Sequence, residues 1–493
     1  MRRLILIHPP LHFSNGVPFT LDGSVPPIGL LSLASYINGH SKAIRAEVID
    51  LAVSPLSLTE ISQKISADKP FAVGIYAMTP QLQGALELAR CIKAIHRAPP
   101  IFLGGPHISA DLTFVDRHPD EFDYAIAGEA EATFLESLHA LSDGGQLPRV
   151  QHSVVVKDLD TIPPTDRTLV PRGRYIRYES MLFSRGCPYK CYYCSRPSID
   201  KSVRYRSVGH LIAELREVRR ENGGLINFQD DTFTMRRKKV LELCDALIRE
   251  RLRLRWRCNT RIDLVDPELL RQMSRAGCEQ INFGIEAGNE RLRREVVHKG
   301  YFTNETIYEV FAACRKERIT VACYFMLGHP TETEAEIEDT KRMILSGGIG
   351  IMGLSLPLPF PASPLYDIAE REGQINLEMI DAFAEKEFGE GYSGNYPVYV
   401  TPTLSKEYLF HQLHSINRAF YLRPSFIFRR AAEDLFNPGQ LFSDTKDFLA
   451  LISRGVSHRK PYRKKAGGGG DPAREPVALK GAGETTGREL AGG

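Results

Sequence analysis

Two series of short apolar runs, each run followed by a segment of helical period, leave this chain few folds to adopt. In the first series the runs fall at 4–8, 46–50, 71–76, 101–103 and 124–127, with helical patterns at 28–37, 81–96 and 112–117. Near-continuous apolar strands joined by helices form a parallel sheet buried on both faces, the doubly wound arrangement. Pro27 stands at the start of the first helix, where the missing N–H of proline costs nothing. Such sheets bind ligands in the crevice at the carboxyl ends of their strands. The polar and glycine-rich residues gather there: His8-Pro9-Pro10, Met78-Thr79-Pro80, Gly104-Gly105-Pro106-His107 and Gly128-Glu129.

The second series has strand candidates at 181–184, 225–229, 254–258, 280–285, 320–327 and 353–356. Helical patterns intervene at 207–221, 236–251, 267–276, 303–317 and 333–346. Six βα units predict a partial barrel, whose chemistry would lie at the carboxyl ends of its strands. The expected fold is therefore α/β: a Rossmann-like doubly wound domain over 1–145, a proline-punctuated linker over 146–178, and a partial (β/α)6 barrel over 179–366. A mainly helical carboxyl-terminal region over 367–460, with helical patterns at 405–420 and 442–453, is expected on the substrate side. The last stretch, 461–493, is rich in glycine and poor in large apolar groups and reads as a disordered tail.

Composition removes several classes of function. Of the 493 residues 43% are hydrophobic and 25% charged, the balance of an ordinary soluble protein. A net charge of +3 gives no nucleic-acid footprint, and the alternating Arg/Leu run at 249–257 reads as a solvated edge. The apolar run behind Met1-Arg2-Arg3 is too short for a secretory signal, and no stretch is long enough to span a bilayer. Nine cysteines without a secretory segment point to a reducing compartment, and a cytoplasmic location is expected.

Three of those cysteines, Cys187, Cys191 and Cys194, form a CxxxCxxC spacing directly after the first strand of the second series. Three thiolates on one loop can hold three irons of a [4Fe–4S] cube and leave the fourth open to a ligand. A structural zinc site closes with four ligands, usually two separated pairs. The other six cysteines are single and scattered, so the cluster reading is preferred.

This triplet, with Tyr193 before its last cysteine, resembles the signature of the radical S-adenosylmethionine (SAM) family. In that family the open iron binds the amino and carboxylate groups of SAM, whose reductive cleavage gives a 5′-deoxyadenosyl radical. The resemblance implies that Tyr193 lies against the adenine, although a loop aromatic that only packs fits equally well. Where relatives carry a glycine-glycine-glutamate motif for the SAM amino group, this chain has Asp230 and Asp231. Asp231 or Thr232 could equally cap the next helix. Arg261 could pair with the SAM carboxylate, and Glu286, in Gly284-Ile285-Glu286-Ala287-Gly288, could accept from ribose hydroxyls. The Gly328-His329-Pro330-Thr331-Glu332-Thr333 segment resembles the family's turn beneath the adenine, with Thr331 and Thr333 as candidate helix caps.

The first 140 residues are similar to the cobalamin-binding domains of the same superfamily, through H-P-P, V-P-P-I-G-L, L-G-G-P-H and A-G-E-A-E in that order. The resemblance implies cobalamin contacts at Thr79, Gly104, Gly105, His107, Gly128 and Glu129. The D-x-H-x-x-G sequence that supplies a histidine lower ligand in many cobalamin proteins is missing from the first loop. Its near match, Asp116-Arg117-His118, lies late in the domain and lacks the glycine. Cobalamin is therefore expected without a histidine lower ligand, with His107 shaping the loop around the nucleotide tail.

Together the two cofactors imply methyl transfer to an unactivated carbon of a small, natural-product-type molecule. The alternative is an enzyme of the same architecture that performs oxidative cyclisation or rearrangement. A reductase, flavodoxin or ferredoxin would supply electrons. Tyr392, Tyr396, Tyr399 and Tyr408 offer substrate contacts or packing. No residue is assigned as catalytic from sequence.

Overall fold

The computed structural model describes residues 1–19, 25–171, 175, 179–195, 202–385, 398–424 and 426–427. The expected disordered tail, the helical pattern at 442–453, Tyr392 and Tyr396 lie outside the described residues.

The amino-terminal sheet has six parallel strands in the order β4-β1-β5-β6-β7-β8. They are β1 (Arg2–His8), β4 (Ile44–Asp50), β5 (Ala72–Tyr76), β6 (Ile101–Gly104), β7 (Tyr124–Ala127) and β8 (Val150–His152). A short antiparallel hairpin, β2 (His12–Ser14) with β3 (Val17–Phe19), branches from the loop after β1. Alternate residues face opposite helical layers. Leu4, Leu6, Phe102 and Ile126 meet helices Ile28–His40 and Glu131–Ser142, while Ile5, Ile7, Val73 and Leu103 meet helices Leu58–Asp68 and Leu82–Lys93. The chain leaves β1 for one neighbour and returns to its other side, so the order reverses there, and a crevice opens at the carboxyl ends of β1 and β5.

Strand β8 falls within the stretch read as a linker. It contributes three residues, too few for a period-2 signal to stand out, and pairs with β7 through Ala125↔Val150. The helix expected at 112–117 shrinks to Phe114–Arg117, and a five-residue helix Pro106–Ala110 precedes it.

The second sheet runs β9-β12-β13-β14-β15-β16 in order, all parallel: Glu179–Met181, Leu225–Phe228, Arg255–Thr260, Cys278–Glu286, Thr320–Met326 and Ile351–Ser355. With helices Val208–Asn222, Arg237–Arg249, Pro267–Arg275, Asn304–Lys316 and Glu334–Leu345 outside it, this is the expected open six-unit barrel. Its outward residues, Phe228, Trp256, Ile281, Phe283 and Phe325, form one core with those helices. Ser207, Asp266, Thr303 and Thr333 cap four of the helices. Each such cap contributes about 1 kcal/mol by meeting an N–H that the first turn leaves open.

The first barrel strand ends at Met181, earlier than expected. Ser184 and Arg185 instead form β10, paired antiparallel with β11 (Arg204–Tyr205). The carboxyl-terminal segment joins both domains. Leu365, Ala369, Ile380 and Phe383 pack into the amino-terminal core, and Tyr408, Leu409, Ile416 and Phe420 into the barrel core.

Candidate active site

The cysteine loop leaves β10 at the carboxyl end of the barrel. Gly186 adopts a φ of +95°, and a Cβ there would run into the Ser202 carbonyl, so only glycine fits before Cys187. Within the loop the Cys194 amide donates to the Cys191 carbonyl at 3.0 Å. Behind it, the Tyr192 ring is buried in the amino-terminal core and its hydroxyl meets His329 Nδ1 at 2.8 Å. Burial pushes the Cys191 thiol up, and the nearby charges of Lys299 and Arg261 oppose that shift. Among the described residues no group of three or more His, Cys, Asp or Glu side chains converges on one ion. A cubane takes one thiolate per iron, so its cysteines need not converge on one point. Three soft donors on one short loop beside two cations match its needs.

Asp230 occupies a place that spacing did not reveal. Its carboxylate accepts from the Phe183 amide at 3.1 Å, and from the Ser184 amide and hydroxyl at 2.5 Å each. Both oxygens thus accept from the residues that start the cysteine loop. Burial raises its pKa to about 6 against the pull of those donors. Asp231 is exposed and lines the cavity between the two domains. Neither Asp231 nor Thr232 caps a helix, because the next helix begins only at Arg237. Thr232 instead places its hydroxyl 3.7 Å from Cys187 Sγ.

Arg261 and Glu286 come together at the barrel mouth. The guanidinium pairs with Asp263 at 2.7 Å and lies over the Tyr189 ring at 3.8 Å. Its Nη1 is buried and meets no acceptor among the described residues, so a donor is open to a ligand carboxylate. Glu286, at a φ of +71°, accepts from the Tyr193 hydroxyl at 2.7 Å and from Lys299 Nζ at 2.9 Å. A Cβ at Gly284 would stand 2.5 Å from the Glu286 carboxylate and 2.7 Å from the Lys299 ammonium, which explains the glycine two residues earlier. Burial and the Glu286 charge raise the Tyr193 pKa well above its usual value, so its hydroxyl stays protonated and donating. Lys299 was not foreseen, since a single lysine after a helical turn carries no sequence signal.

Glu332 accepts from the Gly328 and His329 amides, which fixes the turn after β15. Thr333 caps the following helix as foreseen. Thr331 does not, and its hydroxyl lies near Arg291.

Between the two domains, a cavity of roughly 360 Å³ opens at the carboxyl ends of β5, β6 and β7. Gly104, Gly105, Gly128 and Glu129 line it, beside the apolar Leu33, Phe102 and Phe134. Gly105 has a φ of +109°, and a Cβ there would stand 2.7 Å from the Ala77 carbonyl. That backbone therefore stays bare toward the cavity. Thr79 and His107, expected to meet cobalamin, are joined to each other at 3.0 Å and do not line the cavity. Burial drives the His107 pKa down to about 4, so the ring is neutral. Glu129 is committed elsewhere: Arg204 binds it at 2.6 Å and Arg185 at 3.2 Å. It is tied to the barrel rather than left open for a ligand. Asp116 is paired with Arg149, and His118 packs on Phe114. Neither lines the cavity.

The sequence that builds this slot and the three-thiolate loop matches two known families. Residues 181–344 match the radical SAM superfamily, and residues 16–138 match the B12 binding domain. The chain thus carries a B12 binding domain followed by a radical SAM domain. Its cofactors are accordingly a [4Fe–4S] cluster, SAM and cobalamin. An uncharacterized methyltransferase of Pyrococcus horikoshii is 26% identical over 87% of this chain and 94% of its own. The anaerobic magnesium-protoporphyrin IX monomethyl ester cyclase of Rubrivivax gelatinosus is 25% identical over 91% of this chain and 82% of its own. Among solved structures, the radical SAM methyltransferase TsrM of Kitasatospora setae, with cobalamin and a [4Fe–4S] cluster bound, superposes with a TM-score of 0.69. It shares 19% sequence identity over 84% of this chain and 91% of that one, a likeness of fold. No helix among the described residues is long and apolar enough to cross a membrane.

Of the tyrosines read as substrate contacts or packing, Tyr399 and Tyr408 are buried in the two cores. Burial there favours the packing alternative.

Proposed function

We propose that this radical SAM protein methylates an unactivated carbon of a small-molecule substrate. The observation that carries this reading is the shared wall of the inter-domain cavity. Gly104, Gly105 and Gly128 of the B12 domain face it together with Ser184, Arg185 and Asp231 of the barrel. A cobalamin held there would be bordered by both domains, including Ser184 and Arg185 just before the cysteine loop.

When bound, the cluster with SAM supplies a hydrogen-abstracting radical and cobalamin supplies a transferable methyl group. The chain supplies positions. Cys187, Cys191 and Cys194 would hold the cluster. Arg261 Nη1 would meet the SAM carboxylate, and Tyr193 and Glu286, fixed by Lys299, would border the nucleoside. Asp230 holds the loop that carries the thiolates. Burial of this mouth keeps water from a reactive intermediate.

The electron source would be a reductase, flavodoxin or ferredoxin. A cytoplasmic setting suits nine cysteines of which none forms a disulfide.

The test uses protein reconstituted anaerobically with iron, sulfide and cobalamin, and SAM bearing an isotope-labelled methyl group. Label on a carbon of the product supports methyl transfer. The likeness to the Rubrivivax cyclase keeps a second reading open, cyclisation. In that case 5′-deoxyadenosine forms with substrate while the product carries no labelled methyl.

A further inference from the structure

Two arginines stand side by side on the β10–β11 ribbon, Arg185 opposite Arg204. Both reach into the B12 domain, to the loop that follows β7. Arg185 Nη2 meets Glu131 at 2.7 Å and Ser32 Oγ at 2.9 Å, and its Nη1 meets Glu129 at 3.2 Å. Arg204 meets Glu129 at 2.6 and 3.1 Å. Arg185, Glu129 and Glu131 also line the inter-domain cavity. All four charged side chains are nearly buried, with 12%, 11%, 9% and 5% of the Arg185, Arg204, Glu129 and Glu131 surfaces exposed. The Arg185 charge holds Glu131 below the usual carboxylate range against the opposing effect of burial.

Burying four charges is a costly way to join two surfaces, and apolar side chains of similar volume often bind as well or better. What ion pairs add is direction, because the planar guanidinium fork fixes angle as well as distance. Here direction has a consequence. Arg185 is separated from Cys187 only by Gly186, whose positive φ and contact with the Ser202 carbonyl allow one path. On its other side, Ser184 is clamped by Asp230. The first cluster ligand therefore stands at a fixed offset from a side chain anchored in the wall of the cobalamin cavity.

We propose that Arg185 is a positioning residue: it sets the placement of the iron–sulfur cluster relative to cobalamin by tying the cysteine loop to Glu131, Glu129 and Ser32. This rests on the reading that the cluster sits on that loop and cobalamin over that cavity. The Arg204–Glu129 pair still joins the domains when Arg185 is lost, so that loss changes registration rather than assembly.

The test is spectroscopic. Full-length protein is loaded with the cluster and cob(II)alamin, both of which carry an unpaired electron when the cluster is reduced. Microwave-power saturation of the cob(II)alamin EPR signal is then measured with the cluster oxidised and reduced. In wild type, reduction should raise the half-saturation power. In Arg185→Gln with full iron and corrinoid content, that rise should fall at least twofold. A residue that only stabilised the fold would change melting or loading, not spin coupling at full loading. Should Arg185→Gln fail to retain both cofactors, Glu131→Ala, which removes the shortest Arg185 contact and leaves the cysteine loop intact, decides by the same measurement. An unchanged rise in the loaded variant overturns the proposal. Wild-type protein that takes up iron but no corrinoid overturns the cofactor reading itself and the proposal with it.

Discussion

Lys299 Nζ lies 2.9 Å from Glu286 Oε1, with 9% and 7% of the two side chains exposed, at the mouth of the barrel beside the cysteine loop. Burial opposes the lysine charge, but Glu286 and the nearby Cys191 outweigh it and raise its pKa. Removing one member of such a pair strands the other, at a cost of about 3–5 kcal/mol. Lys299→Met should therefore lose about that much unfolding free energy, while the double variant with Glu286→Gln should recover most of it. Denaturant titration of the three proteins checks this. Additive losses in the double variant would show that the pair is not coupled.

Asp230 should govern iron retention rather than SAM affinity. Its carboxylate satisfies the Phe183 and Ser184 amides, and leaving a buried N–H without an acceptor costs about 1–3 kcal/mol each. Asp230→Ala should lose most of its iron after anaerobic reconstitution, whereas the exposed Asp231→Ala should keep it. Iron per chain, by chelation assay, separates the two. Equal iron in both would return Asp230 to the ligand role that its sequence position suggested.

The contrast between these neighbours shows what sequence could convey. The βα order was legible because apolar runs and helical periods span many residues, and the cysteine triplet because its ligands are close in sequence. Gly105 and Glu286 were placed correctly at strand ends, since strand ends are local. The direction in which Asp230 and Glu129 point was not legible. Their partners, Ser184 and Arg204, lie 46 and 75 residues away, and nothing local fixes which way either carboxylate turns. Lys299 and Arg185 escaped notice for the same reason: their meaning comes from a contact across the fold. Strand β8 was missed because three residues are too few to display an alternation.

Arg261 offers a sharper test of SAM binding. Asp263 and the Lys299 carbonyl hold its Nε and Nη2, which leaves Nη1 as the open buried donor. Lysine retains the charge but cannot both pair with Asp263 and present a second donor. Arg261→Lys should weaken SAM about tenfold, the loss of roughly 1.4 kcal/mol, in calorimetric titration of the reconstituted protein. Iron content should be unchanged. An unaltered affinity would show that Nη1 faces no part of SAM.

His107 makes the B12 domain acid-sensitive in a defined window. Burial, only partly countered by the Asp111 charge, lowers its pKa to about 4, against about 6.5 when the chain is unfolded. A histidine with a depressed folded pKa contributes stability that is fully present above pH 6.5. That contribution is lost as the pH falls toward 4, because the unfolded chain takes up the proton first. Over this window the loss amounts to roughly 3 kcal/mol. His107→Gln keeps a partner for the Thr79 hydroxyl and removes the titration. Denaturation midpoints at intervals from pH 7.5 to 4.5 should fall less steeply for this variant than for wild type. Parallel curves would mean that His107 gains a proton without cost in the folded protein, and that the ring is better solvated than its burial implies.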